Sequence, residues 1–186
     1  MYGLVNKAIE QLVVANYGEA RWREVKDKAG LELGSFVGMK AYPDALTYKL
    51  VGAASEVLDL EPGPLLEAFG EYWILYTARE GYGELLEASG GSFVEFLENL
   101  DMLHARIRLT MPSLKPPSIR VTDVGTDSVR VHYHSDRDGL APMVVGLLRG
   151  LGKRFSTPVE VVHDKVRGKD GDHDEFVANY VTALTS

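Results

Sequence analysis

One of the chain's five histidines stands on an otherwise hydrophobic helical stripe, a position from which an imidazole can hold a metal inside a core. His104 lies in the stretch 92–109, SFVEFLENLDMLHARIRL, where Phe93, Phe96, Leu97, Leu100, His104 and Ile107 recur at three- and four-residue steps. That spacing predicts a single amphipathic helix with these side chains on one face. Glu95, Glu98, Asp101 and Arg108 fall largely on the other face. His104 alone in the stripe can coordinate a metal or carry a proton. Taken by itself, such a histidine reads as a hydrogen-bonded core residue. A second cluster changes that reading.

This cluster alternates along a strand expected at 128–135. Val129, Val131, Tyr133, Ser135 and Arg137 point one way, and Arg130, His132, His134 and Asp136 the other. The first face passes from aliphatic to phenol, hydroxyl and guanidinium. If it turns inward, two hydroxyls and a planar fork converge at the edge of the core, a set suited to carboxylates or phosphates. The bland alternative is that Arg137 ends the strand and snorkels into water. His104 and this row together describe one ligand: a metal for the histidine, a large apolar body for the helical core, and acidic groups for the arginine. Haem has those three parts.

The elements that must position these groups follow from periodicity. Residues 2–17 carry an apolar stripe (Leu4, Val5, Ala8, Leu12, Val13) closed by Gly18, and 20–29 form a short second helix around Trp22 and Val25. Residues 31–43 are glycine-rich and irregular. Asp44 offers an N-cap for a helix through about Leu60, and Pro64 suits the first position of a helix over 65–78. Glu80-Gly-Tyr-Gly-Glu84 is expected as a turn before a short helix ending at Gly90-Gly91. The His104 helix follows. Pro112, Pro116 and Pro117 end it, and the period then changes to two. Strands are expected near 119–123, 128–135, 158–166 and 176–184, the last with a terminal helix as its alternative, and a helix spans 139–155. The expected fold is α+β: one domain over 1–186, with an N-terminal helical lobe at about 1–62. The remainder carries the His104 helix and a roughly four-stranded antiparallel sheet.

Composition narrows the function. The chain has 186 residues and a formal charge of -7, which disfavours nucleic acid and anionic membranes as partners. It has no cysteine, excluding disulfides, iron–sulfur clusters, thiolate haem ligation and cysteine zinc sites. No uncharged apolar run approaches the roughly 20 residues of a membrane span. Lys7 and Glu10 near the start are unlike a signal peptide, so a cytoplasmic location is expected.

Tyr-His-Ser-Asp-Arg at 133–137 matches Y-x-S-x-R, and the chain thereby resembles the haem–nitric oxide/oxygen-binding (H-NOX) family. That family includes the haem domain of soluble guanylate cyclase and standalone bacterial gas sensors. Met-Tyr-Gly-Leu-Val-Asn at 1–6, Phe69-Gly70, Asn99-Leu-Asp-Met-Leu-His104, Pro116-Pro117 and Gly139-Leu-Ala-Pro-Met143 agree in order along essentially the whole chain. The resemblance implies haem b between the two lobes, with His104 as proximal iron ligand. Tyr133, Ser135 and Arg137 would hold the propionates, Pro117 would press on the porphyrin, and Leu4 would pack near it. Met143 looks equivalent to the distal tyrosine of oxygen-binding members, with Trp73 nearby. Methionine donates no hydrogen bond to bound oxygen, whereas an indole can. The implied function is a bacterial sensor of nitric oxide, also binding carbon monoxide and excluding oxygen. It would signal through rupture of the iron–His104 bond and relaxation of the haem. A separate partner, a histidine kinase or diguanylate cyclase, is expected because no catalytic domain follows Ser186.

Other readings compete. An oxygen-binding sensor would use Trp73 as donor. A haem peroxidase-like enzyme would need distal acid–base residues, against which Leu4, Trp73 and Met143 argue. A haem-free carrier of an organic acid would use Arg137 as its anchor. Asp170–Glu175 fails as a calcium loop, because Glu175 stands at the sixth position and Val181 at the twelfth. His132 and His134 share the outward face of their strand, are expected to be exposed, and offer a weak metal site. His163 and His173 lack any tight metal-binding spacing. Gly146 and Gly150, at G-x-x-x-G spacing, suggest close helix packing.

Overall fold

A computed structural model describes residues 1–32 and 34–180, the side chains of 77–81 aside. Seven α-helices and a four-stranded sheet occur among these residues, in the order α1 Gly3–Lys28, α2 Asp44–Leu58, α3 Pro62–Tyr72, α4 Ala78–Glu87, α5 Phe93–Glu98, α6 Leu100–Thr110, β1 Ser118–Thr122, β2 Ser128–His134, α7 Ala141–Arg154, β3 Val159–Lys165 and β4 Asp174–Tyr180. The α+β class and the antiparallel sheet are as expected.

The boundaries differ where backbone chemistry overrides pattern. α1 runs through Gly18, but Gly18 itself (φ 85°, ψ 165°) is not helical, so the expected pair of helices survives as a kink. Only glycine reaches that conformation without strain. α2 is capped at Pro43, and Asp44 is its first residue rather than its cap. The Asp44 side chain turns instead to the N-terminal ammonium and to Arg137. α3 opens at Pro62, two residues before the expected proline. A π-helical turn, Trp73–Thr77, joins α3 to α4. The expected turn at Glu80–Glu84 is helix, bent at Tyr82 (φ -141°).

The single helix expected over 92–109 is two. Ser92 caps α5 by accepting from the Glu95 N–H at 3.2 Å, and the Glu95 carboxylate accepts from the Gly91 N–H at 2.9 Å, a reciprocal cap. The helix then breaks at Asn99 (φ -92°, ψ 0°), the bridge conformation that asparagine tolerates well, and α6 carries His104. No proline or glycine marks this break.

The strand order is β1-β2-β4-β3, antiparallel throughout. β1 and β2 form the expected hairpin, pairing Ile119 with Tyr133 and Val121 with Val131. β4 contributes Phe176, Ala178 and Tyr180 to the same buried face; the expected extension over 181–184 lies outside the described residues. Two buried clusters result. One gathers Val13, Trp22, Val25, Leu50 and Phe69 from α1–α3. The other gathers Phe96, Leu97, Leu103, Val131, Leu148 and Phe176 around the sheet.

α3 and α7 join them at van der Waals contact. A Cβ added to Gly146 would fall 1.9 Å from the Glu67 carbonyl oxygen, and one at Gly70 2.2 Å from that of Met143. The spacing of Gly146 and Gly150 therefore serves close packing, as expected. Arg149–Glu67 and Lys153–Glu71 pairs flank the contact.

Candidate functional site

Between the two clusters lies a cavity of 540 Å³, within the range of small-molecule and cofactor sites. Its wall is overwhelmingly aliphatic and aromatic, with contributions from all seven helices, the π-helical turn, β1 and β2. All eight residues singled out in the sequence line it: Leu4, Trp73, His104, Pro117, Tyr133, Ser135, Arg137 and Met143. They come from five helices and strands and two connecting segments, so only the tertiary fold assembles them.

His104 sits in the wall between Leu100 and Ile107, which pack on the sheet-side cluster. Its Nδ1 is enclosed, and among the described residues no group meets it in good hydrogen-bond geometry. Burial pushes the ring's pKa below its ordinary value, against the opposing pull of the Asp101 charge and the Pro117 backbone. The imidazole is thus held neutral, the form that ligates metals. Asp101, one turn earlier, ties α6 to β1: its carboxylate accepts from the Ser118 hydroxyl at 2.8 Å and the Ile119 N–H at 2.9 Å.

Trp73 and Met143 pack against the α1–α3 cluster. Trp73 leans on Phe69, with ring centroids 6.2 Å apart. Neither Leu4 nor Met143 carries a hydrogen-bond donor, leaving the Trp73 indole as the single donor among these three side chains.

The polar end of the cavity is β2 and the loop after it. Tyr133 is 5% exposed, and burial raises its phenol pKa; the neighbouring Ser135 hydroxyl and Arg137 work in the other direction. The Ser135 Oγ accepts from the Arg137 N–H at 3.1 Å. The Arg137 guanidinium does not snorkel freely into water. Its Nε donates to Asp44 Oδ2 at 2.8 Å and its Nη1 to the Lys115 carbonyl at 2.7 Å.

Three groups essential to this geometry had no recognised role in the sequence. Asp44 was expected only as a cap, but it bridges Arg137 and the Met1 ammonium. The Lys115 carbonyl stands beside the Pro116-Pro117 pair. Arg167, from the β3–β4 connection, donates to the carbonyls of Ser135 and Arg137 and pairs with Asp138, so it pins the loop from behind. Nothing local in the sequence marks Arg167, because its partners lie about thirty residues away.

The cavity suits a group with a metal, a broad apolar surface and an acidic edge. The His104 imidazole in the wall, the apolar lining and the basic Arg137 meet the three requirements of haem. Comparison with known proteins agrees. The haem-NO-binding family profile matches residues 2–163. The chain is 34% identical over 157 residues to soluble guanylate cyclase gcy-32 of Caenorhabditis elegans, covering 83% of this chain and 23% of that protein. It is 32% identical over 185 residues to gcy-35 of the same organism, covering 97% and 27%. The chain therefore spans about a quarter of the length of these curated relatives. Among solved structures, the H-NOX protein from S. oneidensis in the Fe(II)NO state superposes with a TM-score of 0.87 at 20% identity, over 98% of this chain and 100% of that one. Unliganded Fe(II) H-NOX from K. algicida gives a TM-score of 0.86 at 21% identity, covering both chains completely.

Proposed function

The chain belongs to the haem-NO-binding family of gas-sensing domains, and on that premise we propose that it is a cytoplasmic bacterial sensor of nitric oxide, also binding carbon monoxide and excluding oxygen. The family consists of sensors rather than catalysts; the cyclases act through a separate domain. Haem b, when bound, supplies a ferrous iron at which a diatomic gas can bind. The observation carrying this reading is that His104 and Arg137 open into one apolar cavity.

His104 would hold the iron in this reading, and its burial as a neutral imidazole supports that role. Tyr133, Ser135 and Arg137 bind the propionates. Pro117 and Leu4 bear on the porphyrin. Met143 and Trp73 border the gas side, where the lack of a hydroxyl donor in that pair disfavours oxygen, whose bound form is more polar than bound nitric oxide or carbon monoxide. If His104 holds the iron, loss of that bond would free α6 to shift. The hydrogen bonds from Ser118 and Ile119 to Asp101 would carry such a shift to β1. A ligand drives such a change only through different energies in the two states, and loss of a bond from His104 to the iron would supply that difference. The receiver is a partner protein, a histidine kinase or a diguanylate cyclase.

Absorption spectra of the reduced protein test the reading: anaerobic, in air, and with nitric oxide. The expected result is a five-coordinate ferrous spectrum unchanged by air and shifted by nitric oxide to another five-coordinate form. A spectrum that changes stably in air overturns oxygen exclusion and points to Trp73 as donor. Failure to take up haem overturns the reading and leaves an anion carrier built on Arg137. Met143→Tyr should install a donor and confer oxygen binding visible in air; no change would mean that position 143 does not face the gas.

A further inference from the structure

Behind the cavity, on the outer face of the sheet, three histidines and two carboxylates converge. We propose that His132, His173 and Glu175 form a site for a divalent transition-metal ion of the zinc, nickel or copper class, separate from the cavity and from any iron it holds.

The β2–β4 register sets His132 directly opposite Glu175, and His173 stands one residue before β4. The facing nitrogens, His132 Nδ1 and His173 Nε2, lie 2.9 Å apart. Glu175 Oε1 is 3.7 Å from the His173 nitrogen and 4.0 Å from the His132 nitrogen. The point equidistant from the three atoms lies about 2.1 Å from each, the length of a zinc–imidazole or zinc–carboxylate bond. The fourth position is left to water.

The surroundings orient the lone pairs. The Asp172 carboxylate, 2.6 Å from His173 Nδ1, only accepts when ionised, so that nitrogen carries the proton and Nε2 presents a lone pair. His132 Nε2 lies 2.8 Å from the Thr122 hydroxyl. A hydroxyl can donate or accept, so His132 can hold its proton on Nδ1 without a metal and on Nε2 with one. A metal then takes the place of the proton shared between the two rings. A carboxylate behind a ligating histidine is the common outer arrangement of metal sites. His134 stacks on His173 at 4.1 Å and fixes its plane.

Charge is favourable as well. Glu175 accepts from Lys165 at 2.8 Å through Oε1 and from Arg130 at 3.0 Å through Oε2. An oxygen has two lone pairs, so Oε1 can serve Lys165 and a metal together. Arg130 also pairs with Asp123 and Asp164. With neutral imidazoles, the two basic residues face four carboxylates (Asp123, Asp164, Asp172 and Glu175), an imbalance that a divalent cation cancels. Two imidazoles select the later transition metals over magnesium or calcium. The sequence reading of an exposed, weak site is corrected in one respect: the His132 side chain is only 17% exposed.

Calorimetric titration of the full purified chain with zinc chloride, its haem spectrum recorded in parallel, tests the site. One zinc per chain at micromolar affinity or tighter is expected, with no change in the haem spectrum and no competition from magnesium chloride. His132→Ala and His173→Ala should each weaken binding at least tenfold. His163→Ala should not, since that ring stacks on Phe176 and pairs with Asp174 away from the cluster. If either alanine variant fails to fold by circular dichroism, His132→Gln, which can keep the contact to Thr122, gives the same reading. No saturable binding below millimolar zinc, or a site that survives both substitutions, overturns the proposal.

Discussion

The two faces of β2 carry opposite chemistries across one backbone. Inward, Val129 and Val131 are fully buried and lead to Tyr133, Ser135 and Arg137 at the polar end of the cavity. Outward, Arg130, His132 and His134 meet β1, β4 and the turn before β4 through ion pairs and ring stacking. The period of two in a strand separates the two chemistries across one backbone. Packing dominates the inner face until Tyr133, and electrostatics dominates the outer one throughout. The inner row can therefore be judged by what it excludes from water, the outer row by which ion it prefers.

The largest expected effect separates the two faces completely. His104→Ala removes the proposed iron ligand on the far wall of the inner cavity and should weaken haem retention by about hundredfold or more, read as loss of the five-coordinate ferrous spectrum. Zinc titration of the same variant should match the wild type. If zinc binding falls with it, the two faces are one site and the comparison breaks.

A purely structural contrast comes next. Val131→Ala opens a hole in the fully buried inner face and should cost about 2–3 kcal/mol in denaturant unfolding. His134→Ala, on the exposed outer face, should stay within about 0.5 kcal/mol in the absence of metal. Comparable losses would mean that the outer stack of rings helps hold the sheet together.

These contrasts also explain what the sequence made legible. Alternation of Val129, Val131 and Tyr133 revealed the strand and separated its two faces, because a one-residue slip would invert every side chain, while the fold decided which face is buried. The three- and four-residue steps around His104 revealed its helical face for the same kind of reason. The break at Asn99 stayed hidden, since neither proline nor glycine enforces it. Arg167 and the Asp44 bridge stayed hidden because each depends on a contact across the fold. His132 and His134 were legible as a pair, but His173 and Glu175 join them only through the β2–β4 register.

Arg137→Ala sharpens the polar end of the inner face. Arg137 lines the cavity, with one guanidinium nitrogen on Asp44 and another on the Lys115 carbonyl. Its removal should weaken haem retention about tenfold, the scale of one charge-assisted hydrogen bond, with the iron spectrum unaltered. An altered spectrum would instead tie Arg137 to the position of His104.

Asp44→Asn is the mildest test, because it changes what competes for Arg137 rather than Arg137 itself. Burial raises the Asp44 carboxyl, but hydrogen bonds from the Met1 ammonium and Arg137 prevail and hold its pKa below the ordinary value. A carboxyl lowered by folding adds stability above its ordinary range and surrenders it as pH falls through the lower folded value. Wild-type protein freed of haem should therefore lose stability on the acid side below about pH 4, and the asparagine variant should show a flatter acid limb. Because Asp44 is more than a third exposed, the difference will be small and will shrink further with salt. In the haem-bound protein the sign reverses: asparagine leaves more of the guanidinium for an acidic ligand, and retention should rise roughly twofold. A fall in retention would mean that Asp44 orients Arg137 toward the cavity, making the ion pair a part of the inner face rather than its rival.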